Sequence, residues 1–227
     1  MIMEERYSRN IPAVSEEDQN KLKQSSVLVA GCGGLGGFIV EYLARMGIGA
    51  ITAVDGDVFC ESNLNRQLLS RVDNLGKKKA LAVADRVREI NPDVRVQAVP
   101  EFLTEENAVG LMEGTDIVMD ALDNVDSRYI LEDAAAEAGL TIVHGAICGW
   151  DLQVMLIPPG SGMIHRLYPA GSQAASKTSL AITPAVCAAF QASMAVRYLC
   201  GCASDSDRDL FVGSLRDLSF EAVHLRD

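Results

Sequence analysis

One segment of this chain combines a glycine-rich turn, a carboxylate and polar side chains at a spacing typical of a nucleotide site. An apolar run at residues 27–30 leads into the turn GCGGLGG at residues 31–37. A helical stretch follows, and a second apolar run ends at Asp55. Strand, glycine turn, helix, strand and acid, in this order, form the βαβ pattern that binds nucleotide phosphates at a helix N-terminus.

The glycines of this turn have separate predicted roles. Gly31 permits a tight turn off the strand, Gly33 lets the backbone approach a phosphate, and Gly36 lets the helix pack against the sheet. Asp55 follows Gly36 by 19 residues, where a carboxylate can accept hydrogen bonds from ribose hydroxyls. The pattern alone leaves three interpretations open: an ATP site, the NAD site of a dehydrogenase, and a glycine turn with no ligand.

A dense polar set downstream of Asp55 favours a triphosphate. It comprises Asp57, SNLNRQ at residues 62–67, GKKK at residues 76–79, and ALDN at residues 121–124, where a predicted strand ends. Arginine and lysine neutralise phosphates, amide side chains position them, and a carboxylate at a strand's carboxyl end can hold Mg²⁺. A dehydrogenase has no evident need for this set.

In this order and spacing, the segments RYSRNI, GCGGLGG, DGDVFCESNLNRQ, GKKKA and ALDN resemble the ThiF/MoeB/HesA family, bacterial relatives of ubiquitin-activating enzymes. The resemblance covers about residues 6–199. It implies an adenylyltransferase that uses ATP and Mg²⁺ to adenylate the C-terminal glycine of a ubiquitin-fold sulfur-carrier protein, releasing pyrophosphate. Such carriers serve thiamine, molybdopterin or related sulfur-transfer pathways.

The resemblance also implies roles for individual residues. Asp123 would coordinate Mg²⁺ and be the main catalytic carboxylate, with Arg66, Lys79 and Arg9 as further catalytic residues. Arg9 resembles the arginine that dimers of the family insert into the partner's ATP site, so a homodimer is expected. The residues implied to bind ATP are Gly31, Gly33, Gly34, Gly36, Asp55, Asn63, Arg66, Gln67 and Lys79.

Simpler interpretations of these residues stay open at this point. Arg9 could be a surface arginine in a frayed terminus. Asp123 could be the N-cap of the following helix. Lys77 and Lys78 are interpreted as a solvated helix start. His144, which follows a predicted strand, is interpreted as a structural histidine with satisfied hydrogen bonds.

The cysteines depart from the family pattern. Many family members bind zinc through two CxxC pairs, but this chain has no cysteine near residues 163–167 and ends where the second pair would follow. We therefore expect that zinc is absent, or that a tail was lost. The loop at residues 170–179 lacks the working cysteine of some relatives. Cys187 is interpreted as a packing residue, and a role for Cys187 or Cys148 after adenylation stays open.

Composition limits the classes of function. A net charge of −11 argues against general nucleic-acid binding through phosphates. The polar, charged N-terminus is unlike a signal peptide, and no apolar stretch reaches the length of a membrane span. We expect a cytoplasmic protein without a membrane partner.

The predicted fold class is α/β, a Rossmann-like, mostly parallel sheet with flanking helices and an antiparallel extension in the C-terminal third. One domain, residues 1–227, would contain a nucleotide-binding part at about 25–150 and a carrier-binding part at about 151–227. The predicted helices cover residues 15–24, 37–46, 75–90, 104–111, 127–138 and 184–199. The predicted strands cover residues 27–30, 50–54, 94–99, 116–121, 141–145 and 153–157, with a hairpin partner at 163–167 and two short strands in the tail.

Three other functions are kept as alternatives. The same fold could adenylate a small molecule, a peptide or a tRNA-bound group. In a different class, the glycine turn could belong to an NAD(P)-dependent oxidoreductase, or to a nucleotide-binding regulatory module without catalysis.

Overall fold

The computed structural model describes residues 4–171 and 178–225 of the 227-residue chain. Within them, the strands are β1 Ser26–Ala30, β2 Ala50–Val54, β3 Arg95–Val99, β4 Ile117–Asp120, β5 Ile142–Cys148, β6 Asp151–Ile157, β7 Leu210–Ser214 and β8 Ser219–Val223. The α-helices are α1 Glu16–Gln24, α2 Gly34–Met46, α3 Lys79–Ile90, α4 Ala108–Leu111, α5 Val125–Ala138, α6 Met163–Leu167 and α7 Ile182–Leu199.

The strands form one mixed sheet in the order β3-β2-β1-β4-β5-β6-β7-β8. Neighbours from β3 through β5 pair in parallel, and neighbours from β5 through β8 pair antiparallel. The predicted fold class is therefore confirmed, including the antiparallel C-terminal extension. The two strands predicted in the tail are β7 and β8.

Helices cover both faces of the sheet because its central strands are apolar on both sides. Along β1, Val27 and Val29 pack in a cluster with residues of α2, α3 and α7, whereas Leu28 and Ala30 pack in a second cluster with residues of α5 and α6. This alternation is the two-residue period of a strand. The helices α2, α3 and α5 each follow a parallel strand in the chain, so their N-termini lie along the carboxyl edge of these strands.

The long helix predicted at residues 75–90 begins four residues later, at Lys79. The prediction was wrong there because the preceding backbone pairs with residues 58–59 instead. Gly76 N–H donates to Phe59 O at 2.8 Å, Phe59 N–H donates to Lys77 O at 3.0 Å, and Val58 forms an antiparallel bridge with Lys78. Gly76 takes a left-handed φ of 83° in this turn.

The hairpin predicted at residues 163–167 is also wrong, because this segment is the short helix α6. The buried carboxylate of Glu132 accepts hydrogen bonds from the amides of Ile164 at 2.9 Å and His165 at 3.1 Å. Amides in the first turn of a helix lack partners within the helix, so a carboxylate there stabilises it.

The other predicted helices differ from prediction only at their starts, by one residue in α1 and by two in α7. The helix predicted at residues 104–111 is helical only in α4, because Asn107 Oδ1 accepts the Thr104 amide at 2.8 Å and holds the preceding residues in a turn. α2 begins three residues earlier than predicted and α5 two residues earlier. Within the described part of the chain, no helix is both long and apolar enough to span a membrane.

Candidate active site

The glycine turn connects β1 to α2 at the carboxyl edge of the sheet and leaves no room for side chains at two positions. Gly31 has a φ of 94°, and a Cβ on it would lie 2.6 Å from Ala121 O. A Cβ on Gly36 would lie 1.9 Å from Gly31 O. Gly33 is the N-cap of α2 and offers no side-chain cap, so the first amides of this helix remain available to an anion.

Asp55 directly follows β2, and its carboxylate is hydrogen-bonded to this turn. Its Oδ2 accepts the Cys32 amide at 2.7 Å, and its Oδ1 accepts the Asp57 amide at 2.8 Å. A carboxylate has about four lone-pair sites, so each oxygen keeps capacity for one more donor. The carboxylate is thus oriented beside the turn and can still accept from ribose hydroxyls.

The segment after β2 brings Gln67 against the glycine turn. The Gln67 amide nitrogen would lie 3.3 Å from a Cβ on Gly33, so a side chain at Gly33 would displace the Gln67 amide by a few tenths of an ångström. Gln67 is 8% exposed, and its Oε1 has no hydrogen-bond partner among the described residues. A buried amide with unused bonding capacity beside a glycine turn fits a polar ligand there.

Asn63 and Arg66 stand in the same segment with different surroundings. Asn63 is buried, and its Oδ1 accepts the Cys60 amide at 3.0 Å, so part of its role is to hold the turn. Arg66 is half-buried, and its guanidinium donates to Ser62 O at 2.8 Å and to Asn65 Oδ1 at 2.9 Å.

Lys79, the first residue of α3, is 6% exposed. Its ammonium lies 3.0 Å from Asp57 Oδ2, on a side chain that is itself 58% exposed. Asp57 in turn donates its amide to Asp55, which accepts the Cys32 amide, so these contacts link Lys79 to the turn. A buried lysine needs compensation for its charge; Asp57 supplies part of it, and an ammonium has two further N–H donors for an anionic ligand.

The surroundings of Lys77 and Lys78 agree in part with their interpretation as solvated residues before the helix. Lys77 is exposed and forms an ion pair with Asp85 on the helix surface. Lys78 is half-buried, and its ammonium donates to Gly56 O. Of these three lysines, Lys79 alone is buried.

Asp123 lies just beyond the carboxyl end of β4 and is exposed. It is not the N-cap of α5, because Asn124 Oδ1 accepts the Ser127 amide at 2.8 Å. The described residues contain no group of three or more His, Cys, Asp or Glu arranged to hold a metal ion. A Mg²⁺ held by one carboxylate and phosphate oxygens needs no such group.

The structure does not bring Arg9 to the site of its own chain. Arg9 is exposed on the 3₁₀ helix Glu5–Asn10, whose Tyr7 packs against Gly47 at the C-terminal end of α2. Since α2 has 13 residues and a helix rises 1.5 Å per residue, the glycine turn at its N-terminus lies on the order of 20 Å from the end that Tyr7 contacts.

A buried polar network beneath Asp123 was not predicted from the sequence. Asp120 ends β4, Arg128 lies on α5, His144 on β5 and Gln191 on α7, and each is at most 7% exposed. His144 Nδ1 lies 2.7 Å from Asp120 Oδ2, so the interpretation of His144 as a structural histidine is confirmed. The signal available in the sequence was an ionisable residue inside each of two apolar runs, at Asp120 and His144.

Opposing effects set the charges in this network. Burial raises the pKa of Asp120, but Arg128 and the hydrogen bond from His144 outweigh it and leave that pKa below its ordinary value. Burial lowers the pKa of His144 more than Asp120 raises it. The network therefore holds an ionised Asp120 and a neutral His144 that donates through Nδ1–H.

The two cysteines nearest the interior are poor nucleophiles. Cys187 on α7 is fully buried, and burial raises the pKa of its thiol above the ordinary range. Burial does the same to Cys32. Since the thiolate is the reactive form, the interpretation of Cys187 as a packing residue agrees with its surroundings. Of the cysteine-free loop at 170–179, residues 172–177 lie outside the described part of the chain.

Comparison with known proteins places the chain in a family. The sequence matches the ThiF family over residues 7–226. The chain belongs to the ThiF family. It is 35% identical to the SAMP-activating enzyme E1 of Haloferax volcanii, covering 98% of this chain and 85% of that protein. It is also 35% identical to the sulfur carrier protein adenylyltransferase of Thermus thermophilus, covering 98% of this chain and 87% of that protein.

Solved structures agree on the fold. Escherichia coli MccB, crystallised with succinimide, superposes with a TM-score of 0.82 over 97% of this chain and 71% of that chain, at 21% identity. With its family shown, the chain is an adenylyltransferase of the ThiF type. The alternative of an NAD(P)-dependent oxidoreductase is thereby set aside.

Proposed function

We propose that this enzyme uses ATP to adenylate the C-terminal glycine of a ubiquitin-fold sulfur-carrier protein. The observation that carries the nucleotide part is the buried Lys79 beside a glycine turn that has no room for side chains at Gly31 and Gly36. The carrier is supported by two relatives that match 98% of this chain at 35% identity, one named for a sulfur carrier protein and one for SAMP.

In the proposed reaction, the terminal carboxylate of the carrier attacks the α-phosphorus of ATP. The bond from that phosphorus to the bridging oxygen breaks, so the products are the carrier acyl-adenylate and pyrophosphate. A carboxylate is already ionised at neutral pH, and no general base is required. This agrees with the position of His144, which is buried and bonded to Asp120 rather than facing the turn.

The proposed residues act by orientation and charge. The first amides of α2 and the Gln67 amide would orient the phosphates, Asp55 would accept from the ribose hydroxyls, and Lys79 with Arg66 would stabilise charge on the departing pyrophosphate. Asp123 would hold Mg²⁺, which when bound neutralises phosphate oxygens and polarises the reacting phosphorus. These groups stabilise the transition state most, since negative charge moves onto the leaving group there.

We further propose that different parts of the chain bind the nucleotide and the carrier. Residues at about 25–150 would bind the nucleotide, since the glycine turn, Asp55, Lys79 and Asp123 all lie there. Residues at about 151–227 would bind the carrier. In support, all five residues of the edge strand β8 are exposed, including Phe220 at 49% and Val223 at 39%.

The proposal is tested by ligand-dependent melting together with pyrophosphate exchange. ATP with Mg²⁺ should raise the melting temperature, because a ligand that binds only the folded state stabilises it, and NAD should leave it unchanged. Labelled pyrophosphate should enter ATP only when a sulfur carrier is added. Stabilisation by NAD but not ATP would contradict the nucleotide assignment, and exchange stimulated by a tRNA or a peptide instead would reassign the substrate.

A further inference from the structure

Both backbone polar groups of Leu122, the residue before Asp123, bind to one buried ion pair. The Leu122 N–H donates to Asp120 Oδ1 at 3.0 Å, and the Leu122 carbonyl accepts from Arg128 Nη2 at 2.7 Å. Arg128 Nε lies 3.2 Å from Asp120 Oδ2. Asp120, Arg128 and the Leu122 backbone thus form a closed ring of polar contacts next to Asp123 in the chain.

The members of this ring have little freedom to move. Asp120 is fully buried, Arg128 is 7% exposed, and the Arg128 guanidinium lies 5.1 Å from the centre of the Tyr168 ring. Arg128 Nη2 also donates to Gly145 O at 3.2 Å, which ties the ring to β5. Gln191 Nε2 donates to Asp120 O at 2.8 Å and ties the ring to α7.

We propose that Arg128 and Asp120 are positioning residues that fix the Asp123 carboxylate at the carboxyl edge of the sheet. The inference rests on the proposed role of Asp123 in adenylation. A displacement of about 1 Å at a reacting centre can cost on the order of a hundredfold in rate. The ring restrains the backbone that leads into Asp123, because the N–H and the carbonyl of the preceding residue, Leu122, both have buried hydrogen-bond partners.

The ring also requires an arginine at position 128. Its nitrogens have different partners, since Nη2 donates to the carbonyls of Leu122 and Gly145 while Nε lies 3.2 Å from Asp120 Oδ2 in an ion pair without hydrogen-bond geometry. A lysine keeps the positive charge beside Asp120, but its single ammonium nitrogen cannot occupy both places. Arg128→Lys therefore separates positioning from charge.

The matched control is Arg197→Lys. Arg197 also pairs with a buried aspartate, because its Nη1 lies 2.6 Å from Oδ1 of Asp207, which is 2% exposed. That pair joins the end of α7 to the 3₁₀ helix Asp205–Arg208, away from Asp123. It controls for the general cost of exchanging a paired arginine for lysine.

Two readouts test the proposal in the full-length enzyme. In the protein without ligands, hydrogen exchange of the Leu122 amide should be faster in Arg128→Lys than in wild type or Arg197→Lys. In pyrophosphate exchange, Arg128→Lys should lower kcat about 10- to 100-fold and change the KM for ATP by less than about threefold, since the groups that bind ATP are untouched.

The decisive comparison adds Arg128→Lys to an Asp123→Ala background. If Arg128 acts through Asp123, the double variant should have the same residual rate as Asp123→Ala alone. Independent losses that multiply, or a Leu122 amide as protected as in wild type, would overturn the positioning role. Near-normal exchange by Asp123→Ala would overturn the role of Asp123 and this inference together. If Arg128→Lys fails to fold, Arg128→Gln, whose shorter side chain carries no donor as far out as Nη2 and therefore releases the Leu122 carbonyl, undergoes the same comparison.

Discussion

Lys79 and Asp123 stand at the same edge of the sheet but meet water very differently. The lysine is 6% exposed, whereas the aspartate is exposed beyond the end of β4. A buried ammonium is held in one place and suits a fixed contact with a phosphate. An exposed carboxylate can accept a hydrated metal together with its phosphate ligands. The difference in exposure therefore matches the two proposed roles.

The role of Asp123 gives the first prediction. Asp123→Ala should lower the rate of pyrophosphate exchange on the order of a hundredfold or more, because removing a metal ligand costs several kcal/mol of transition-state stabilisation. The melting temperature should change little, since Asn124 rather than Asp123 caps α5. Asp126→Ala, which removes another exposed carboxylate three residues away, is the control and should keep near-normal exchange. Equal rates in both variants would refute the assignment.

The cysteines give a second prediction at this scale. After incubation with ATP, Mg²⁺ and a sulfur carrier, mass spectrometry should find no thioester or persulfide on Cys187, Cys32 or Cys148. Burial raises the thiol pKa of the first two, and Cys148 is half-buried at the end of β5. Cys60 and Cys202 are exposed and should react with iodoacetamide, which verifies the labelling. A thiol-sensitive carrier adduct mapped to Cys187 or Cys148 would show that the mechanism continues on this enzyme.

At the scale of elements, the contact between α2 and the glycine turn decides whether the nucleotide can bind. Gly36→Ala places a Cβ 1.9 Å from Gly31 O, so α2 must shift away from the sheet. We expect a loss of at least about 1–3 kcal/mol in the free energy of unfolding and loss of stabilisation by ATP. Differential scanning calorimetry with and without ATP measures both effects.

Gly110→Ala is the matched control for that substitution. Gly110 also lies in a helix, but nothing stands within 4 Å of a Cβ added there. Alanine should be neutral or stabilising by about 0.5–1 kcal/mol. If both variants lost stability equally, the cost would come from replacing glycine and not from this contact.

The elements also show what sequence patterns can and cannot predict. The βαβ order and the glycine turn follow from local signals, because apolar runs and glycines determine short strands and turns. α6 and the start of α3 depended on partners far along the chain, Glu132 for α6 and Phe59 for α3. Periodicity within a segment does not contain such contacts.

The ring of Asp120, Arg128 and Leu122 likewise depends on contacts that periodicity within a segment does not contain. The sequence indicates that Asp120 and His144 interrupt apolar runs, but the strand order brings β4 beside β5 and makes them partners. All the binding and catalytic roles assigned to the site residues, including those of Gly34, Asn63, Arg66 and Gln67, stay predictions.

For the whole molecule, the position of Arg9 gives a prediction about assembly. Arg9 lies at the opposite end of α2 from the glycine turn of its own chain, so its implied role requires a second copy. When Arg9→Ala chains are mixed with Asp123→Ala chains, random pairing makes about half of the dimers mixed. One of the two sites in each mixed dimer has both residues, so activity should return at about a quarter of all sites. Pyrophosphate exchange after mixing measures the recovery.

The control for assembly mixes Lys79→Ala with Asp123→Ala. Both residues serve the site of the same chain, so every mixed site keeps one defect and no activity should return. A monomer in light scattering at micromolar concentration, or equal recovery in both mixtures, would contradict the composite site.

The account rests most directly on the product of the reaction. The measurement is the mass of a purified ubiquitin-fold sulfur carrier after incubation with this enzyme, ATP and Mg²⁺. We predict that the carrier gains one adenylyl group at its C-terminal glycine while pyrophosphate is released, and that a carrier without that glycine gains none. A carrier that stays unmodified while the enzyme adenylates a tRNA, a peptide or a small molecule would contradict the proposed function.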